Sequence, residues 1–266
     1  MSEPRPLHRL FGLCWSDFFQ GTPIAVETER DLSLKQQFVD LVLIRQGPGP
    51  LPRPRPDGFE DLAAHNLVTF KSHQEALDGW ALCELVAHYV NYRKQSSPAL
   101  DDLLPETDFR LLAVCVRYPH NLAQQVARTP LREGVYEVPV GTLGIRVVVV
   151  NRLPQEEQNA RLLVFSPQME LLQYGKAHYR PCSPETSTLL YQLFKAYSED
   201  PDMAEQLKEF VRQSIDELLR SLPAKERLKG LSPEERLEGL SPEELRAALE
   251  AVQRRLQGNG PSAKPQ

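Results

Sequence analysis

Residues 37–45 read Gln-Phe-Val-Asp-Leu-Val-Leu-Ile-Arg (QFVDLVLIR), and this stretch decides the fold. It is β-branched and apolar on both faces, the pattern of a strand buried in the middle of a sheet. One residue breaks the pattern. Asp40 falls on the face that alternation assigns to Phe38, Val42 and Ile44. A carboxylate at such a place costs free energy unless something pairs with it.

The elements on either side extend the sheet. Upstream, residues 24–34 read as a second extended segment with Ala25, Glu27 and Glu29 on one face. Before it, Leu7, Leu10, Phe11, Leu13, Trp15, Phe18 and Phe19 predict an opening helix over residues 7–19, ended by Gly21-Thr22-Pro23. Downstream, GPGPLPRPRPDG (47–58) places proline at every second position from Pro48 to Pro56. That spacing forbids a helix or a paired strand and predicts a stiff, extended surface loop. NLVTFK (66–71) is the next strand. Ser72 and Glu75 have capping-box spacing, which predicts a long helix through Arg93 that buries Leu77, Trp80, Leu85, Tyr89 and Tyr92. Further strands are expected over 109–118, 135–138, 145–151 and 161–165.

Ser166-Pro167, Ser183-Pro184 and Asp200-Pro201 each predict a helix start, with a capping side chain followed by proline where no N–H partner is needed. The tail repeats itself: RLKGLSPEE (227–235) is followed by RLEGLSPEE (236–244), each copy predicting one short helix, with disorder after Gly258. The expected organisation is an α/β domain over 1–180, amphipathic helices over 181–222 packed on or extending it, and short helical repeats with a disordered end over 223–266.

The chain of 266 residues carries a net charge of −5. Residues 1–198 hold 22 acids and 20 bases, so no basic excess marks a protein that coats DNA. No apolar run is long enough to span a bilayer, and the polar stretch Met1 to Arg9 lacks the apolar centre of a signal peptide. Cys14, Cys83, Cys115 and Cys182 form no CxxC pair, which predicts buried free thiols in a reducing cytoplasm. Gly-rich phosphate loops and the HExxH metalloprotease motif are absent from the sequence.

Asp40 and Lys71 sit near neighbouring strand ends. On one sheet face they would hold a divalent ion and a water for phosphodiester hydrolysis, the carboxylate binding the ion and the lysine acting on the nucleophile. The bland alternative is a buried Asp40–Lys71 ion pair. Glu75 reads as a helix cap, and Glu84 with His88 reads as a solvated i,i+4 pair.

VETERDLSLKQQFVDLVLIR (26–45) and HNLVTFKSHQEALDGWALCELVAHYVNYRK (65–94) set out a strand with Glu, a strand with Asp, a strand ending in x-x-Lys and a long helix. This order resembles the core of the PD-(D/E)xK nuclease superfamily. It is similar, more narrowly, to Rpn-type recombination-promoting nucleases and their transposase-like relatives. The resemblance implies a restriction-endonuclease-like mixed sheet flanked by helices, and a Mg²⁺- or Mn²⁺-dependent DNA endonuclease linked to transposition or recombination. It makes Asp40 the central aspartate, Lys71 the motif lysine, and Glu27 or Glu29 the upstream acid, with Asp40, Glu27 and Glu29 as metal ligands. Thr69 stands where the family has its second acid, and Glu84 is the candidate to replace it. The alternative is a catalytically inactive nuclease fold that serves as a protein-interaction or regulatory module. DNA, a homodimer, or a protein partner held through the C-terminal helices are the partners this reading implies.

Overall fold

In the computed structural model the described residues are 6–31, 38–51, 54–183, 188–221 and 241–258. Seven strands form one mixed sheet in the order β1-β2-β3-β4-β7-β6-β5. The strands are β1 (Ile24–Asp31), β2 (Phe38–Arg45), β3 (His65–Lys71), β4 (Phe109–Cys115), β5 (Thr129–Arg132), β6 (Val135–Val140) and β7 (Leu143–Val149). β1, β2 and β3 pair antiparallel, β3, β4 and β7 pair parallel, and β6 and β5 return antiparallel at the far edge. The apolar pattern of 37–45 does mark an interior strand, because β2 lies between β1 and β3.

Helices cover both faces. The helices of the first unit are α1 (Pro6–Phe18), α2 (Gly79–Ser96), α3 (His120–Gln125), α4 (Ala160–Leu163), α5 (Met169–His178), α6 (Leu189–Glu199) and α7 (Glu205–Ser221). One apolar layer joins Phe11 and Trp15 of α1 to Leu41, Leu43, Phe70 and Val148 of the sheet and to Leu193 and Val211. The other joins Leu82, Leu85, Tyr89 and Tyr92 of α2 to Val42, Leu67, Ala113 and Val147. Two compact units result, Met1–Arg220 and Ser221–Gln266. In the second, α8 (Pro242–Gly258) is amphipathic, with Leu245, Leu249 and Val252 exposed.

Several expectations are corrected. The long helix starts at Gly79, not at Ser72, because Asp78 caps it by accepting from Ala81 N–H. Ser72 and Glu75 do bond, but on a turn ahead of the helix and not as a reciprocal capping box: the Ser72 amide and hydroxyl both donate to Glu75 Oε2, while Glu75 N–H donates to the Ser72 carbonyl. Trp80 therefore falls in the first helical turn and is 71% exposed, while Tyr89 and Tyr92 are buried.

Residues 161–165 are helical at α4 rather than extended, since a short apolar run does not by itself separate a buried strand from a buried helical turn. α5 begins at Met169 and α7 at Glu205, a few residues beyond their Ser-Pro and Asp-Pro signals. Ser166 and Asp200 instead accept from the amides of Gln168 and Asp202 as local turns. The second copy of the repeat opens α8, which runs for 17 residues and is not short. The first copy and the segment after Gly258 lie outside the described residues.

The proline-rich connection is not wholly on the surface. Pro56, Asp57, Gly58 and Phe59 are buried. Asp57 accepts from Arg132 Nη1 and Asn159 Nδ2, both at 2.8 Å, and Phe59 stacks on Trp15 at 4.2 Å. Gly58 has φ +91°, and a Cβ there would collide with Val148, so only glycine lets the loop enter the core. All four cysteines are free; Cys14 and Cys115 are buried, but Cys83 and Cys182 are exposed. Among the described residues no helix is long and apolar enough to cross a membrane.

Candidate functional site

β2 and β3 part company at Asp40. Their ladder runs from Ile44↔His65 to Leu41↔Val68 and stops. β2 keeps pairing with β1 as far as Phe38, and β3 keeps pairing with β4 as far as Lys71. The alternation of β2 also breaks here, because Val39 packs in the α2 layer and Leu41 in the α1 layer. A seam opens between the strands, and the Asp40 carboxylate fills it. Oδ2 accepts from Phe70 N–H at 2.8 Å and from the Thr69 hydroxyl at 3.0 Å. The carboxylate thus satisfies a strand amide that the departing ladder would leave unpaired.

The other oxygen meets a residue that the sequence did not single out. His8 Nδ1, on α1, lies 2.6 Å from Asp40 Oδ1, and His8 Nε2 lies 2.8 Å from Glu75 Oε2. His8 is 4% exposed and packs edge-on against Phe70, with ring centroids 5.5 Å apart. Glu75 is held in place by the amide and hydroxyl of Ser72, at 3.2 and 3.0 Å.

A histidine facing two carboxylates donates from both nitrogens and is an imidazolium. Burial alone would lower its pKa. The hydrogen bonds and charges of Asp40 and Glu75 outweigh that and push it up to about 9. Burial would raise the Asp40 carboxyl, but His8, the Phe70 amide and the Thr69 hydroxyl bring it below its ordinary value. Burial opposes ionisation of Glu75 as well, and His8, the Ser72 amide and the charge of Lys71 lower it to about 2. The three groups form a charged acid–imidazolium–acid chain that ties α1 to β2 and to the turn before α2.

Of the other residues singled out in the sequence, Lys71 and His88 lie within electrostatic reach of this chain. Lys71 ends β3 half-buried, and among the described residues no hydrogen bond or ion pair joins it to Asp40. Its charge reaches Glu75 and His88. Glu84 is exposed on α2 and acts on His88 one turn on. Burial lowers the His88 pKa, Lys71 adds to that, and Glu84 and Asp40 oppose it. Glu27 is half-buried on β1 opposite Val42. Glu29 lies on the same strand, and its side chain is outside the described residues.

The seam can be tested for a divalent ion. Mg²⁺ asks for near-octahedral oxygen ligands. Asp40 Oδ1 and Glu75 Oε2 face a cation already, Asp40 Oδ2 receives two donors, and Thr69 offers a neutral hydroxyl whose proton goes to Asp40. Among the described residues no group of three or more His, Cys, Asp or Glu is placed to hold a metal. As arranged, this donor set fits an imidazolium and does not fit Mg²⁺.

Comparison of the chain with protein-family models, with curated proteins and with solved structures gives no match. The seam stands on its own geometry.

Proposed function

We propose that this chain is a nuclease-like protein built on the PD-(D/E)xK plan, in which a resident imidazolium neutralises the acidic seam, so that it engages nucleic acid as a regulatory or interaction module without hydrolysing it. The observation that carries this reading is the 2.6 Å contact between His8 Nδ1 and Asp40 Oδ1. The fold half of the proposal rests on element order. A strand with Glu27, a strand with Asp40, a strand ending at Lys71 and a long helix follow one another, in a mixed sheet with helices on both faces. The restriction-endonuclease-like assignment belongs to this proposal.

The test is a plasmid-nicking assay with Mg²⁺ or Mn²⁺ on wild type, Asp40→Ala, Lys71→Ala and His8→Gln. Wild type is expected to leave supercoiled plasmid intact at neutral pH. Nicking by wild type that is lost in both Asp40→Ala and Lys71→Ala would overturn the reading.

A second reading, a metal-dependent endonuclease linked to transposition or recombination, is favoured by one observation. Asp40 and Glu75 converge on a single cationic group, and the charge of Lys71 reaches Glu75. Without His8, two carboxylates and a lysine would remain at the seam. Under this reading His8 plugs a latent metal site, and His8→Gln nicks plasmid while wild type does not.

A further inference from the structure

The parallel strands β3, β4 and β7 end side by side, and each brings a cation to its carboxyl end. β3 ends on Lys71, Arg117 lies two residues beyond the end of β4, and β7 runs into the 3₁₀ turn Val150–Arg152. The backbone stays in register past the strand ends: Val116 N–H donates to Lys71 O at 3.0 Å and Asn151 N–H to Val116 O at 3.1 Å. Three adjacent strands span roughly 10 Å. The crevice outside the carboxyl ends of parallel strands is where open α/β sheets take ligands.

Two arginines there share one phenol ring. The Arg152 guanidinium carbon lies 3.5 Å from the Tyr118 ring centroid, and that of Arg128 lies 5.7 Å from the same ring and 5.9 Å from Tyr136. Arg152 Nη1 also donates to Tyr136 Oη at 3.2 Å, and Arg128 Nη1 to Ala123 O at 2.8 Å. Arg117, Arg128 and Arg152 are exposed, and among the described residues none forms an ion pair with a carboxylate. Arg132 and Arg146 differ, since they pair with Asp57, Glu60 and Glu137.

The ring contacts hold Arg128 and Arg152 in place while leaving most of their five N–H donors unused. Like charges gathered without a counter-charge call for an anion, and a guanidinium fork matches the oxygens of a phosphate. The Tyr118 ring is taken up by these guanidiniums, so the site is built for phosphate oxygens along a strand and not for a stacked base.

We propose that the carboxyl edge of β3, β4 and β7 binds the phosphodiester backbone of single-stranded nucleic acid, with Arg117, Arg128 and Arg152 on its phosphates and Tyr118 as the ring that orients two of them. This rests on the nucleic-acid reading above and names the surface that such a strand would occupy.

The test is a filter-binding titration with a radiolabelled single-stranded DNA of about 20 nucleotides, in EDTA, over a range of salt. Wild type is expected to bind, with log K falling linearly in log salt. Arg128→Glu with Arg152→Glu is expected to weaken binding at least about tenfold and to flatten the salt slope by about 0.7 for each phosphate no longer neutralised. Arg117→Glu lies outside the ring stack, and it is expected to weaken binding with an unchanged thermal melt. That variant keeps the proposal testable if the double variant does not fold.

Four outcomes would overturn the proposal: no binding by wild type at low salt, equal affinity in the folded variants, a preference for duplex of the same length, or full displacement of the oligonucleotide by an equal amount of inorganic phosphate. Cleavage in Mg²⁺ would overturn the inactive reading alone. Loss of arginine dependence in EDTA would overturn this one.

Discussion

Helix α1 carries a buried charge near each end, and the two are neutralised in different ways. Near its start, His8 is a cation between two carboxylates. Near its end, the Asp17 side chain, 0% exposed, accepts from the backbone amides of Cys182 at 2.6 Å and Ser183 at 2.5 Å, from Arg161 Nη1 at 3.3 Å and from Tyr179 Oη at 3.5 Å. Both charges oppose the helix dipole, which favours an acid at the start and a cation at the end by about 0.3–1 kcal/mol each. Their partners must outweigh that. Asp17 is met by two peptide amides, a guanidinium and a phenol, none of which gives up its proton near neutral pH. The partners of His8 are themselves acids, so that end is fastened only over a window.

The contrast can be broken most directly at Asp17. Asp17→Ala is expected to cost about 4 kcal/mol, because it removes the buried acceptor of two amides and one of the partners of the mostly buried Arg161 at once. Urea denaturation followed by circular dichroism gives the value. Next comes His8→Gln, expected to cost about 3 kcal/mol near pH 6, since Asp40 keeps the Phe70 amide and the Thr69 hydroxyl. If His8→Gln proves costlier than Asp17→Ala, the ranking of the two ends is wrong.

Stability against pH sharpens the comparison. The His8 pKa rises from 6.5 to about 9 on folding, so its contribution is complete below pH 6.5 and is lost as pH rises through 9. The pKa of Glu75 falls from 4.5 to about 2, so its contribution is complete above pH 4.5 and is lost as pH falls through 2. Wild type is therefore expected to lose up to about 3 kcal/mol between pH 6.5 and 9, a loss that is absent in His8→Gln. Equal alkaline loss in the two proteins would remove His8 as its source. The smallest effect belongs to Thr69→Val, at about 1 kcal/mol for one hydrogen bond to a carboxylate that keeps its other donors.

Half of the His8 site was legible in the sequence. Asp40 announced itself as a lone acid in an apolar strand, and the flanking strands and helices followed from their periodicity. Its partner did not. Lys71 was the natural choice because it ends the next strand, yet the strands separate at Asp40, and the carboxylate turns into the seam toward α1. His8 lies 32 residues upstream in a helix whose apolar positions explain themselves without it. Ser72 and Glu75 had the spacing of a cap, and their mutual bonds formed. That the Glu75 oxygen bonded to Ser72 also meets His8 had no local signal. β5 was missed for a related reason: its four residues are all exposed and carry no apolar alternation. Contacts set by tertiary closure leave little trace in local spacing.

The two tryptophans occupy opposite extremes. Trp15 is 1% exposed and stacked on Phe59, while Trp80 is 71% exposed at the start of α2. Intrinsic fluorescence thus comes already divided. Iodide should quench the long-wavelength emission of Trp80 and leave the short-wavelength emission of Trp15, and Trp80→Phe would leave a single emitter set inside the layer that His8 and Asp17 fasten. A red shift of that emitter would mark the moment α1 lifts from the sheet, with no added label.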